Sequence, residues 1–98
     1  MYYQCARIYR FRTGTMDHVR SAVEATLLPS LAQQPGFVRY RFMTTADDRA
    51  LSESVWETIA EAASADVVEG DWVRGSISSD LDGLPDLLIG PIEIEVGR

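Results

Sequence analysis

Phe37-Val38-Arg39-Tyr40-Arg41-Phe42-Met43-Thr44-Thr45, then Ala46-Asp47-Asp48-Arg49, then Ala50-Leu51-Ser52-Glu53-Ser54-Val55-Trp56-Glu57 is the stretch that decides the fold. Two segments rich in aromatic and β-branched residues flank a polar loop of hairpin length, which predicts antiparallel strands over 37–45 and 50–57. In the second strand Ser52, Ser54 and Trp56 share one face, and Leu51, Glu53 and Val55 share the other.

Upstream, residues 2–12 predict a long strand. One face carries Tyr3, Cys5, Arg7, Tyr9 and Phe11, and the other Tyr2, Gln4, Ala6, Ile8 and Arg10. Neither face is cleanly polar, so both are expected to meet something. Thr13-Gly14 breaks the strand, and Thr15 is the expected N-cap of a helix. Its apolar stripe is Met16, Val19, Val23, Leu27 and Leu31. Pro29 inside that stripe predicts a kink. Pro35-Gly36 ends the helix.

Downstream, Thr58-Ile59-Ala60-Glu61 fits a capping box. It opens a short alanine-rich helix from Ile59 to about Val68, which Gly70 is expected to end. Residues 71–87 are weakly patterned and fit a helical turn around Trp72 and a loop through Gly83 and Pro85. Ile89 to Val96 predicts a last strand, with Pro91 at its start or on an edge.

The order β-α-β-β-α-β folds most readily into one antiparallel sheet with both helices on one face, an α+β ferredoxin-like domain. The 98 residues are expected to form a single domain. The uncovered sheet face still carries apolar groups, and a second copy pairing sheet against sheet would bury them. A homodimer is therefore expected, with any pocket left on the helix side.

Nine basic residues, all Arg, against fifteen acidic ones give a net charge of -6. That balance argues against nucleic acid and against an anionic membrane surface. The missing Lys is read as coding bias. No apolar run approaches the ~20 residues of a membrane span. Met1-Tyr2-Tyr3-Gln4-Cys5 has neither the charged start nor the apolar stretch of a signal peptide. A single Cys cannot form an intrachain disulfide, so a cytoplasmic setting is expected. There is no Gly-rich phosphate loop, paired-Cys metal site or HExxH motif.

The long first strand, the helix closing on Gln33-Gln34-Pro35-Gly36-Phe37, and the strand ending Ser54-Val55-Trp56-Glu57-Thr58 before a short helix together resemble the antibiotic-biosynthesis-monooxygenase domain. The likeness spans residues 2–96. It implies a dimeric α/β barrel and cofactor-free oxygenation of a quinol, anthrone or other small aromatic polyketide. Such chemistry needs a site that holds the substrate, favours its anion and excludes water. Anthrone-oxidising members of the family place an active-site tryptophan where Trp56 stands. Their asparagine four residues earlier is Ser52 here, and their tyrosine six residues later is Ala62. Their later arginine corresponds, across a gap, to Arg74. The haem-degrading pattern of other relatives is not matched: its asparagine falls near Ala6, its tryptophan near Ser64 or Ala65, and its histidine has no counterpart around Arg74-Gly75.

The resemblance makes Trp56 and Arg74 the candidate catalytic residues. Ser52, Trp72 and Tyr40 are the candidate substrate contacts, and no cofactor is implied. Each has a structural alternative. Trp56 is equally a core tryptophan under a helix, Trp72 a hydrophobic plug, and Arg74 a solvated surface arginine. Tyr9 and Tyr40 fit structural roles. Arg7, Arg39 and Arg41 are expected to pair with Glu53, Glu57, Glu93 or Glu95. His18, the one histidine, is the obvious base for an isomerase or cyclase but lies off the helical stripe, so solvent exposure is expected. Cys5 fits a buried thiol. The alternative function is a non-catalytic small-molecule-binding or assembly module on the same dimeric barrel.

Overall fold

The computed structural model describes residues 1–97. Strand β1 (Tyr3–Arg10) leads through Gly14 (φ +85°) into α1 (Met16–Ala22). One wide π turn (Val23–Leu27) and α2 (Leu28–Ala32) continue the same helical run. After Gly36 (φ +80°) come β2 (Phe37–Thr44) and β3 (Arg49–Trp56). Then follow α3 (Ile59–Trp72), a second π turn (Val73–Ile77), a 3-10 turn (Ser78–Asp80) and β4 (Asp86–Pro91).

All strand neighbours are antiparallel in the order β2-β3-β1-β4. This is the expected α+β ferredoxin-like arrangement. β1 pairs Cys5 with Ser54 and Arg7 with Ser52 on one side, and Arg7 with Leu87 on the other. Those residues share the helix-facing side of the sheet. The predicted helical stripe is buried at Val19, Val23, Leu27 and Leu31, and it packs with Tyr9, Phe11, Trp56, Ala62 and Ala65 into one core. Full burial of such a side chain is worth roughly 1.5–3 kcal/mol, so this layer dominates stability.

The hairpin of 37–57 forms as the sequence indicates: β2 starts at Phe37 as expected and ends one residue early, and β3 starts and ends one residue early. Its loop runs from Thr45 to Asp48, with Asp48 left-handed (φ 63°) and the Thr45 N–H donating to the Arg49 carbonyl at 2.9 Å across it. Thr45 Oγ1 donates to Asp47 Oδ1 at 2.5 Å and braces it.

Several expectations are corrected. The first strand is shorter than 2–12, although Phe11 still bridges to Leu81. Thr15 makes no side-chain cap; its hydroxyl donates back to the Arg12 carbonyl. Ahead of Pro29, the Leu28 N–H reaches the Val23 carbonyl, five residues back. The wide turn absorbs the donor that proline lacks. Thr58 Oγ1 accepts from the Glu61 N–H, as in a capping box, but the Glu61 carboxylate takes the Thr58 hydroxyl (3.0 Å) in place of a backbone donor.

The second helix does not stop at Gly70. It runs on to Trp72 and through the π turn to Ile77, because Trp72, Val73 and Ile77 all bury on the core side. Gly70 costs helix stability of about 1 kcal/mol relative to alanine, and that packing outweighs it. The last strand lies earlier than Ile89–Val96: β4 is Asp86–Pro91, and Pro91 ends it. Residues 92–97 form no strand. They run beside open-face residues, where Arg39 holds Glu95 at 2.7 Å, and leave Ile94 and Val96 exposed.

Candidate functional site

Between β1, α3 and the 78–87 segment lies a cavity of about 640 Å³. β1 contributes Arg7, α3 contributes Gly70, and the π turn contributes Val73 and Arg74. Ser78, Leu81, Gly83, Leu84, Pro85 and Leu87 close the other side. The π turn sets this wall. Widening by one residue buries Val73 and Ile77 while leaving Arg74 on the exterior side, paired with Asp71. The apolar lining with arginine at its edge suits a flat apolar molecule bearing an oxyanion.

Behind the cavity the helix-facing layer holds a polar chain. Tyr9 donates to Glu69 Oε2 at 2.5 Å, and Ser52, which lies close enough to Glu69 to lower its pKa, meets Tyr40 Oη at 2.7 Å. Burial raises the pKa of Glu69, against the lowering pull of Tyr9, Ser52 and Arg7. Burial also raises both tyrosines, Glu69 adding to it in each. These phenols stay protonated near neutral pH. Arg7 crosses from β1 to α3 and donates through Nη2 to Asp66 Oδ1 at 2.5 Å and to the Asp66 carbonyl at 3.1 Å. Burial alone would weaken its charge, but the hydrogen bond to Asp66 and nearby acidic groups hold it more firmly protonated than usual.

The structure separates the residues singled out from sequence. Arg74 lines the cavity. Trp56 does not: it is fully buried, donates through Nε1 to Ser54 Oγ at 2.8 Å, and meets Phe37 edge-on at 5.5 Å. Ser52 and Tyr40 bond each other within the polar chain. Trp72 donates to Thr26 Oγ1 at 2.7 Å and ties the two helical runs together, so it packs as a plug. His18 is exposed and bonds Asp80 Oδ2 at 2.7 Å, away from the lining of this cavity. Burial pushes the Cys5 thiol up to about 12, helped by Glu69 and Asp66, so it is no nucleophile.

Arg39 and Arg41 pair with Glu95 and Glu53, as anticipated. Arg7 instead takes a helix carboxylate, because its face points at α3. Arg7 and Glu69 are the functional candidates that sequence reasoning passed over. Each had a signal: a charge inside an apolar strand face, and an acid at the spacing Ala62, Ala65, Glu69, Trp72. Among the described residues, no three His, Cys, Asp or Glu side chains gather as a metal site.

A four-stranded antiparallel sheet in this order with helices on one face defines a ferredoxin-like α+β protein. No family model matches the chain, and no curated protein matches its sequence. Solved structures do match over nearly its whole length. A putative antibiotic biosynthesis monooxygenase from Nitrosomonas europaea aligns with TM-score 0.80 and 15% identity, over 98% of this chain and 94% of that one. SnoaB, a cofactor-independent oxygenase from Streptomyces nogalater, aligns with TM-score 0.77 and 14% identity, over 99% and 98%. A Streptomyces coelicolor monooxygenase, solved in complex with nanaomycin D, aligns with TM-score 0.76 and 14% identity, over 98% and 91%. The expected likeness to this group of structures is thus present in the fold.

Proposed function

We propose that this chain is a cofactor-independent, monooxygenase-like protein acting on a small aromatic substrate bound in the Arg7–Arg74 cavity. The observation that carries the reading is that cavity, apolar on most of its lining and edged by guanidinium groups, on a fold shared with the cofactor-independent oxygenase SnoaB. Arg74 favours the substrate anion, since its exposed pair with Asp71 exchanges readily for a ligand oxygen. Val73, Leu81 and Pro85 offer the ring an apolar wall. Trp56 supports the wall from the core without touching substrate. For an anthrone the ring CH₂ becomes a carbonyl; one atom of dioxygen enters the product and the other leaves as water with the two hydrogens. The four electrons lost by carbon are those gained by oxygen.

Oxygen uptake with naphthohydroquinones and anthrones tests the proposal. Wild type is expected to exceed the uncatalysed rate, and Arg74→Gln to fall about 100- to 1000-fold, the range expected when an electrostatic stabiliser is lost. Uptake no faster than background, or an unchanged Arg74→Gln rate, contradicts it.

A second reading, a non-catalytic small-molecule-binding module on the same scaffold, is favoured by one observation. Ser52 and Tyr40 satisfy each other, and their phenol and hydroxyl are not on the cavity wall. Aromatic ligands bound but returned unaltered would select this reading. In either case we propose a single-domain chain working as a homodimer through the open sheet face, where Ile8, Met43 and Leu88 are exposed.

A further inference from the structure

Arg7 carries a charge into a largely apolar face, and its guanidinium is only partly used. Nη2 serves Asp66, whereas Nε is buried with no hydrogen-bond partner. A buried charged donor without an acceptor is costly, and such atoms are few in native proteins. Beside it, α3 presents Gly70. A Cβ at that position would stand 3.2 Å from Arg7 Nη2, 3.8 Å from Arg74 Nη1 and 4.0 Å from Arg74 Nη2. The missing side chain leaves a notch in which two guanidiniums from different elements converge on one cavity wall.

We infer that this notch is an oxyanion subsite, and that the cavity takes an apolar ring carrying a carboxylate. One carboxylate oxygen accepts from the Arg7 guanidinium, whose Nη2 borders the notch, and the other from the Arg74 guanidinium, the planar donor geometry that arginine offers to carboxylates. A monoanion suits the site better than a phosphate dianion. Each arginine already has an acidic partner, Asp66 or Asp71, and Leu81, Leu84 and Leu87 leave the remaining lining apolar. This inference rests on the reading of the cavity as the substrate site, and it names the substrate class.

Calorimetric titration of the full-length protein with 1-naphthoate, and with the neutral 1-naphthylmethanol, tests it without oxygen or turnover. Naphthoate is expected to saturate one site per chain at least tenfold more tightly than the alcohol, and to weaken as salt rises. Gly70→Ala places a methyl group in the notch and is expected to lose at least tenfold in naphthoate affinity. Its melting temperature should hold or rise, since alanine favours helix. If Gly70→Ala instead melts lower, the exposed Arg74→Gln decides: a tenfold loss supports the subsite, and unchanged binding overturns it. No saturable naphthoate binding, equal affinity for the alcohol, or a folded Gly70→Ala protein binding like wild type overturns it as well. Tight naphthoate binding alongside silent oxygen uptake sinks the oxygenase reading and leaves the subsite standing.

Discussion

Glu69 sits where a helix facing a core would carry leucine or alanine, and it keeps a carboxyl there at 2% exposure. Tyr9 donates to one of its oxygens, and Ser52, Arg7, Tyr40 and Asp66 complete its surroundings. Because burial raises its pKa, the folded state binds the proton more tightly than the unfolded chain does. Its stabilising contribution is therefore full below the unfolded value of about 4.3 and is lost as pH climbs through the raised folded value. Glu69→Gln keeps a carbonyl acceptor for the Tyr9 hydroxyl and cannot ionise. Its melting temperature is expected to overtake that of wild type as pH rises from 4 to 8, where each kcal/mol corresponds to about 4–8 °C for a chain of this size. Parallel curves across that range would show that Glu69 does not titrate with folding. The sequence held a cue to this residue, since Glu69 continues the Ala62–Ala65 spacing. Ending the helix at Val68 hid it.

At the scale of elements, legibility followed how local the cause was. The 37–57 hairpin, the Thr58 cap and the Gly36 turn are written in neighbouring residues, and each formed near its expected place. The end of α3 was not local. Gly70 reads as a helix stop, but the packing of Trp72, Val73 and Ile77 against the core carries the helix past it. The two π turns have no residue signature of their own. One precedes a proline, and the other lets the chain bury Val73 and Ile77 while keeping Arg74 at the cavity. The last strand misled for the opposite reason. Ile92, Ile94 and Val96 alternate well with Glu93 and Glu95, yet pairing with β1 runs over Asp86–Pro91. The run Leu87-Leu88-Ile89 lacks alternation because β4 carries apolar groups to both faces. The candidate site inherited these misreadings, since its walls come from residues 70–87.

For the whole molecule, helices cover one side of the sheet, and the other carries only the 92–97 segment, held through Arg39 and Glu95. Exposed Ile8, Met43 and Leu88, with Ile94 and Val96 projecting from the segment that follows β4, make the apolar surface that we propose a second copy covers. Sedimentation equilibrium is expected to give twice the 10.9 kDa chain mass, and Met43→Glu or Leu88→Glu to return it to the monomer. A monomeric wild type would remove the dimer from the account. The cavity lies on the other side of the sheet, so the proposed ligand binding and the proposed pairing use separate surfaces. Its occupancy is the central claim, and an anaerobic crystal structure with a naphthohydroquinone tests it most directly. The ring is predicted between Leu84 and Val73, with an oxygen at hydrogen-bond distance, about 3 Å, from the Arg74 guanidinium. A ring bound on the open sheet face, or an empty cavity at saturating ligand, contradicts the account.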